Sequence, residues 1–208
     1  MYIFTRTITV NRLKRFEGIA ASIEIAALAS EIAGLPIAVY GSRFGAPLNT
    51  IMWSARYESH AQVEEVSNKL GANAEYMAWI MSHADSFDSA PVDRLTNVVS
   101  ATLAAKPKKF YTSLTAVATS GRLGDAVAFG VKAQEFVANA SGLTTMFGTA
   151  IYGAFGTVGW LTGADTLAEL DALVQMQMTN AEYHTLLAEA APLFIAGSGI
   201  NTLIEKLN

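Results

Sequence analysis

The sequence contains no cysteine, which excludes disulfides, thiolate nucleophiles, and zinc or iron–sulfur sites built on cysteine. Charged residues are also scarce, at 15% of the 208 residues, and the net charge is −4. Lys and Arg gather only in the short segments 12–15 and 106–109. Because neutralising phosphates requires clustered basic side chains, we expect no nucleic-acid partner.

The N-terminus lacks the basic segment and apolar stretch of a secretion signal, which together with the missing cysteine favours a cytoplasmic protein. Residues 136–164 carry no charge and would be long enough to span a bilayer. Their glycines and threonines, however, favour two strands joined by a turn. We therefore expect no association with a membrane.

The motifs of common enzyme classes are missing as well. There is no phosphate-binding glycine loop, no G-x-S-x-G elbow and no H-E-x-x-H, and no two histidines have a metal-ligand spacing. The chain is nevertheless 51% hydrophobic, with a mean hydropathy of +0.30, which excludes global disorder. We predict no metal site, and any chemistry must come from isolated residues.

An internal duplication dominates what is present. The tetrapeptide Asn-Ala-Glu-Tyr occurs at 73–76 and again at 180–183, and the same offset carries Trp53 onto Trp160. Between residues 53 and 87, eight of 35 positions are identical to their counterparts. Tyr40-Gly41 aligns with Phe147-Gly148. A long period with only two copies indicates a doubled domain rather than a solenoid.

Each copy predicts the same order of elements. Strands are predicted at 2–10, 37–44, 49–57 and 92–101, and again at 110–118, 144–152, 155–163 and 198–205. A helix is predicted over 13–33, ending at Gly34, which matches Gly142. Ser59 with Gln62, and Thr166 with Glu169, predict capping boxes at equivalent helix starts. Asn73 and Asn180 predict second N-caps.

The resulting β-α-β-β-α-β unit is the ferredoxin-like arrangement, and two copies predict an α+β protein. We expect two antiparallel four-stranded sheets packed face to face as a pseudo-dimeric α/β barrel. Residues 1–101 form the first predicted repeat, 102–109 a linker and 110–208 the second repeat. The chain resembles the dimeric α/β-barrel superfamily. A third strand running through Trp53 into 56–59 and a helix is similar to NIPSNAP-like and antibiotic-biosynthesis-monooxygenase-like members.

Two strand arginines have neutral counterparts in the second copy. Arg6 matches Thr115 or a near neighbour, and Arg43 matches Ala150. A strand arginine facing a cavity can clamp a carboxylate or an enolate oxygen, whereas one facing outward extends to water. We take Arg6 as a candidate catalytic residue and Arg43 as a candidate substrate-binding residue.

The remaining candidates are aromatic residues and one histidine. Tyr57 and His83 are candidate catalytic residues; a satisfied surface or core position is the alternative for His83. Trp53, Trp79 and Trp160 are candidate substrate-binding residues. An aromatic repeated in both copies, as Trp53 and Trp160 are, more often fills the core.

The resemblance implies a barrel cavity binding a small apolar or aromatic molecule, with a cofactor-independent oxygenase or isomerase as one form. No cofactor is predicted, although the superfamily also includes haem-handling proteins, and His83 and His184 fall on helices where an axial ligand would lie. The alternative is a non-enzymatic assembly protein, since an apolar chain with Ala-rich helices suits a homodimer or a higher homo-oligomer. The sequence does not decide between binding and catalysis.

Overall fold

A computed structural model describes residues 1–102, 104 and 106–208. Leu103 and Ala105, which belong to the predicted linker 102–109, lie outside the described residues. Contacts divide the chain into two units. The first unit comprises Met1–Leu95 and Glu205–Asn208, and the second comprises Thr96–Ile204. The predicted boundaries of the two sequence repeats, 1–101 and 110–208, are a separate matter from these units and stay a prediction.

The first unit contains three complete strands and three helices, and each helix starts or ends where the sequence supplies a cap. They are β1 (Tyr2–Thr9), α1 (Arg15–Ala33), β2 (Ala38–Phe44), β3 (Thr50–Tyr57), α2 (His60–Ala72) and α3 (Ala74–Ser82). Short 3-10 turns at Arg12–Lys14 and Ala84–Ser86 flank this set. Strand β4 (Val92–Ala101) begins in the first unit and continues into the second.

The second unit repeats the same order. It contains β5 (Phe110–Val117), α4 (Leu123–Ser141), β6 (Thr144–Ala150), β7 (Thr157–Ala164), α5 (Leu167–Thr179) and α6 (Ala181–Ala190). Strand β8 (Ile200–Lys206) starts in this unit and ends in the first. Every predicted strand is therefore observed to within two residues, and residues 136–164 hold the end of a helix and two strands, as predicted.

The sheet order is that of two tandem ferredoxin-like repeats. In the described residues the strands are hydrogen-bonded in the order β1-β3-β2-β8-β5-β7-β6-β4, which closes into an eight-stranded barrel. Within the first unit, β1 and β2 both pair antiparallel with β3; within the second, β5 and β6 both pair with β7. The α+β class and the tandem ferredoxin-like architecture are thus confirmed.

Helix ends follow the predicted caps with one exception. Gly34 and Gly142 adopt φ of 70° and 69° at the ends of α1 and α4, a conformation that favours glycine. Thr166 forms a complete capping box with Glu169. The box predicted at Ser59 is only half formed, because the Gln62 side chain accepts from the backbone N–H of Glu58 instead.

The cores lie between the helices and one face of each sheet. In the first unit, Val10, Val39 and Ile51 pack with α1, and Ala55 and Tyr57 pack with α1 and α2. In the second, Phe129 and Leu186 belong to one buried cluster, while Phe110, Ala164, Leu170 and Leu173 form another. No helix among the described residues is long and apolar enough to cross a membrane.

Strand pairing corrects one part of the sequence alignment. Trp53 on β3 pairs with Val39, and its counterpart Trp160 on β7 pairs with Phe147. The structural counterpart of Phe147 is therefore Val39 and not Tyr40. Since side chains alternate across a strand, the one-residue difference places Tyr40 on the opposite face of its sheet from Val39.

Candidate functional site

Arg6 is the central residue of a polar cluster in the first unit. Its guanidinium donates two parallel hydrogen bonds to the carboxylate of Asp93, from Nε to Oδ1 and from Nη2 to Oδ2, each 2.7 Å long. Such a bidentate pair fixes the plane of the guanidinium as well as its position. The side chains of Arg6 and Asp93 remain 38% and 46% exposed, so the pair is accessible from solvent.

The alternation of β1 explains why this arginine lies beside aromatic side chains. Tyr2, Phe4 and Ile8 pack with the helix-side clusters, and Arg6 lies in the same row because it is two residues from both Phe4 and Ile8. The Arg6 Cζ atom is 5.9 Å from the centre of the Phe4 ring. Arg6 therefore lies on the helix-facing side of the sheet.

Two tyrosines from other elements interact with the Arg6 charge. Tyr57 ends β3 and is buried, and Tyr76 lies in the first turn of α3. Burial raises the pKa of Tyr57, while the nearby Arg6 guanidinium lowers it in part and Tyr76 raises it further. The hydrogen bond to Asp93 is the main cause that raises the pKa of Arg6, against the effect of burial, and both tyrosines add to it.

Several hydrogen-bonding atoms of Arg6, Tyr57 and Tyr76 have no partner among the described residues. An arginine has five N–H donors, and Asp93 accepts from two of those of Arg6. In the described part of the chain, neither tyrosine hydroxyl has a hydrogen-bond partner, yet no buried side-chain nitrogen or oxygen there is left unpaired. Both hydroxyls therefore reach solvent. We call Arg6, Asp93, Tyr57 and Tyr76 the Arg6 cluster.

In the second unit, the sheet position that corresponds to Arg6 is also uncovered by helices, but it holds no charged residue. Arg6 pairs across the sheet with Trp53, and Leu114 pairs with Trp160 in the same way. Leu114 is 40% exposed although it lies in the middle of a strand, on the face that packs against helices. The helices of both units thus leave this sheet position uncovered, and only the first unit fills it with a cation.

Trp53 and Trp160 occupy equivalent places in the core. The indole nitrogen of Trp53 donates to the backbone carbonyl of Ser22 on α1 at 2.9 Å, and that of Trp160 donates to Gly130 on α4 at 3.0 Å. Both rings also contact neighbouring aromatic residues. The structure gives each indole a packing role, and substrate binding by either stays a prediction.

Trp79 and His83 lie on α3 and at its C-terminus, and they contact each other. Their rings stack with centroids 4.0 Å apart and planes 12° apart. The Trp79 indole nitrogen donates to the Glu24 carboxylate on α1 at 2.9 Å. His83 Nδ1 lies within 3.0 Å of the Trp79 carbonyl and the Ser82 hydroxyl. In the residues described, no hydrogen bond or ring contact joins His83 to Arg6 or Tyr57.

Arg43 lies apart from the Arg6 cluster. It is exposed near the end of β2 and forms an ion pair with Glu205, which lies one residue before the end of β8. Its position is that of an arginine extending to water beside a carboxylate. A role for Arg43 in substrate binding stays a prediction.

Sequence reasoning did not select two members of the cluster. They are Asp93, the acid that fixes Arg6, and Tyr76, which lies in the first turn of α3. The sequence did carry a signal for Asp93, since an acidic residue at the start of a predicted strand can pair with a cation in the neighbouring strand. Only the fold, however, shows that β4 brings Asp93 to Arg6.

A haem group, which the superfamily resemblance raises, would need an imidazole facing an apolar slot. The His83 ring lies flat on Trp79, and Nε2 of His184 is 3.1 Å from the Gln177 carbonyl. Neither histidine is presented in the required way, so no step below is assigned to haem. Within the described ranges, no three His, Asp or Glu side chains are grouped to hold a metal ion.

An open cleft of about 460 Å³ lies elsewhere in the first unit. It is lined by Asn11, Arg12, Leu13, Asn49 and Asp88. Asp88 there accepts from the backbone N–H of Arg12. The cleft contains none of the predicted site residues, and we assign it no chemistry.

Known protein families and curated sequences give no match to this chain. Comparison of folds does find similar structures. A candidate monooxygenase from Fusobacterium nucleatum superimposes with a TM-score of 0.75 at 8% identity, over 100% of this chain and 92% of the other. A candidate monooxygenase from Lactobacillus acidophilus gives 0.67 at 12% identity, over 99% and 93%.

An anthrone oxidase-like protein gives a TM-score of 0.68 at 11% identity, over 100% of this chain and 91% of the other. Identities this low show the fold and leave the function open. The fold that the predicted resemblance implied is confirmed. It is shared with two candidate monooxygenases and an anthrone oxidase-like protein.

Proposed function

We propose that the protein binds a small apolar or aromatic molecule that carries a carbonyl or hydroxyl oxygen, at the Arg6 cluster. The observation that supports this proposal is the accessible guanidinium of Arg6, held in a fixed plane by Asp93. Fixed donors recognise an oxygen at lower entropic cost than mobile ones do. Phe4 and Tyr76, which are half-buried, supply aromatic surface for the rest of such a molecule.

The charge of the cluster indicates which oxygen suits it. Arg6 and Asp93 together carry no net charge, and burial, which raises the pKa of Tyr57, keeps that phenol neutral. A fully charged anion would be repelled by the Asp93 carboxylate as well as attracted by the Arg6 guanidinium, so its net binding free energy would be small. A neutral carbonyl or phenol oxygen can accept a hydrogen bond from Arg6 without being repelled by Asp93.

A cofactor-independent oxygenase or isomerase is the catalytic form of this proposal. Its first step would remove a proton next to the bound oxygen and leave an enolate or phenolate. Arg6 and the neutral hydroxyl of Tyr57 would then donate to the developing charge. Asp93 is the carboxylate in contact with Arg6, and it is the base we assign to that step. His83, which stacks on Trp79, has no role in it.

The test compares two ligands of similar size that differ in one oxygen, 1-naphthol and 1-methylnaphthalene. We expect the protein to bind 1-naphthol about tenfold more tightly, since a hydrogen bond to a charged donor contributes about 1.5–3 kcal/mol. Arg6→Met should remove that preference while leaving the methylnaphthalene affinity unchanged. Isothermal titration calorimetry measures both affinities.

The matched control is Arg122→Met. Arg122 is also an ion-paired arginine, 45% exposed, but it lies on the second unit beside Asp125. This variant should keep the preference for 1-naphthol. Equal binding of the two ligands to the wild type, or loss of the preference in both variants, would contradict the proposal.

A second candidate function is homo-oligomeric assembly, because large apolar side chains are exposed at several loops. Phe16 at the start of α1 is 85% exposed, and Phe155 between β6 and β7 is 89% exposed. Phe44 and Leu48 are exposed at the β2–β3 hairpin, and Tyr152 is exposed at the β6–β7 hairpin. Exposed apolar clusters on a protein usually mark an interface.

Native mass spectrometry of the purified protein separates the candidates. A homodimer or larger oligomer that Phe16→Ser or Phe155→Ser dissociates would support assembly. A monomer carrying a stoichiometric small molecule would support ligand binding, and its identity would name the substrate class. A Soret band in the absorbance of the released molecule would instead indicate haem.

A further inference from the structure

Helices α3 and α6 occupy equivalent places in the two units but are attached differently. In α6, Leu186 is 4% exposed and belongs to the main buried cluster of the second unit. The residue at the same place in α3 is Trp79, and α3 contains no buried residue. The hydrophobic anchor of α6 is therefore missing from α3.

A polar contact at the surface links α3 to α1. Trp79 donates to Glu24 on α1, and its ring is stacked by His83. Glu24 is exposed, and water competes for both partners of that hydrogen bond. The equivalent position on α4 is Lys132, which pairs with Glu189 on α6, but there the buried leucine anchors the helix as well.

The backbone isolates α3 as a short segment. Asn73, at φ −83° and ψ 114°, breaks the path between α2 and α3. The 3-10 turn Ala84–Ser86 follows α3 directly. The segment carries Tyr76, which lies in the first turn of α3 and whose phenol is within electrostatic range of Arg6 and Tyr57. Any displacement of α3 therefore changes the distance of Tyr76 from the other members of the Arg6 cluster.

We infer that α3 is a movable wall of the Arg6 cluster and that Trp79, through its hydrogen bond to Glu24, is the positioning residue that holds it closed. The effect on ligands rests on the function proposed above; the motion of α3 does not. Small segments with few buried contacts open at low free energy, and binding sites are drawn from such segments. Helix α6, which Leu186 anchors, is the reference against which the opening of α3 is compared.

Hydrogen exchange of the free protein tests the motion. We expect the amides of α3 to exchange faster than those of α6 in the wild type. Glu24→Ala should accelerate exchange in α3 by about threefold to tenfold, the loss of one ordinary hydrogen bond. Glu24→Gln keeps an acceptor and should restore slow exchange. Lys132→Ala, the matched control, should leave α6 unchanged because Leu186 still anchors it.

Equal protection of α3 and α6, or no response of α3 to Glu24→Ala, would overturn the inference. Stopped-flow measurements with 1-naphthol then address the site. Glu24→Ala should raise both the association and dissociation rates by a similar factor, as a loosened wall requires, whereas Arg6→Met should raise dissociation without changing exchange in α3. If 1-naphthol does not bind at all, the proposed function fails while the exchange result still decides the motion.

Discussion

The first and second repeats have the same core indole and the same asparagine cap but differ in an exposed side chain on the sheet. Trp53 and Trp160 both donate to a helix carbonyl, and Asn73 and Asn180 both cap the helix that follows them. The sheet position of Arg6, by contrast, is Leu114 in the second repeat. The two indoles and the two asparagines, which both copies keep, are explained by packing and capping. Residues that differ between the copies are where function is to be sought.

The repeats also reach equal packing by different routes. In the second, Phe147 lies against Gly130 so closely that a Cβ added to the glycine would be 2.0 Å from the ring. In the first, the corresponding residues are the smaller Val39 on the sheet and the larger Ser22 on the helix, and both are fully buried. A large residue on the sheet is matched by a small one on the helix, because a core tolerates neither voids nor overlap.

Removal of the two core indoles should have the largest effect. We expect Trp160→Ala to cost about 3–5 kcal/mol in unfolding free energy, and Trp53→Ala to fall at the lower end of that range. Trp160 contacts Phe129, Phe147 and Phe194, whereas Trp53 contacts Phe87. Urea denaturation followed by circular dichroism measures both. A larger loss for Trp53→Ala would break the comparison.

A double-mutant cycle can test whether the sizes of Phe147 and Gly130 depend on each other. Gly130→Ser should destabilise the protein by about 1–3 kcal/mol through overlap with Phe147. Phe147→Val should cost about 2 kcal/mol or more by leaving a cavity. The double variant, which copies the first repeat, should cost at least about 1 kcal/mol less than the two separate losses together. Strict additivity in urea denaturation would show that the two positions are independent.

The two asparagine caps should contribute equally. The side chain of Asn73 accepts from Tyr76 N–H at 2.8 Å, and that of Asn180 accepts from Tyr183 N–H at 2.9 Å. Asn73→Ala and Asn180→Ala should each lower the unfolding free energy by about 1 kcal/mol. Because α3 lacks a buried anchor, Asn73→Ala should in addition accelerate amide exchange in α3. The same exchange in both variants would argue against the different attachment of the two helices.

The smallest expected effect concerns the titration of two tyrosines, the buried Tyr57 and the half-buried Tyr183. Burial raises the pKa of Tyr57 and of Tyr183, so their neutral forms stabilise the fold, and this contribution is lost as the pH rises above about 10. Arg6 lowers the pKa of Tyr57 alone. Arg6→Met should therefore raise the pKa of Tyr57 further and leave that of Tyr183 unchanged. NMR of ¹³C-labelled tyrosine detects each titration, and an equal response of both would contradict it.

Local patterns predicted the elements well because their causes are local. Alternation identified the strands, glycine identified the ends of α1 and α4, and asparagine identified the starts of α3 and α6. The half-formed box at Ser59 shows the limit of this reasoning, since the choice of partner for Gln62 depends on a side-chain direction. The alignment of Tyr40 with Phe147 was wrong by one residue because matching letters do not report which face of a strand a side chain occupies.

The site was only partly predictable. Arg6 was selected from the sequence because a charge inside a strand is uncommon, and Tyr57 was selected as a second candidate. The structure places both on the helix-facing side of the sheet, with the Phe4 ring in contact with each. Trp53 is the strand neighbour of Arg6, but its indole donates to α1, and it stays a prediction together with Arg43, Trp160 and His83. Residue type does not report neighbours distant in the chain. Asp93 and Tyr76 enter the cluster only through the positions of β4 and α3.

The sequence by itself determined the duplication, the order of elements, their caps and the ferredoxin-like class, because each depends on periodicity or on contacts a few residues apart. Tertiary structure alone decided that Arg6 faces the helices, that Asp93 fixes it and that Leu114 stands in its place in the second unit. Those outcomes depend on strand register and helix docking. Both are set by long-range packing, in which a shift of one residue exchanges the two faces of a strand.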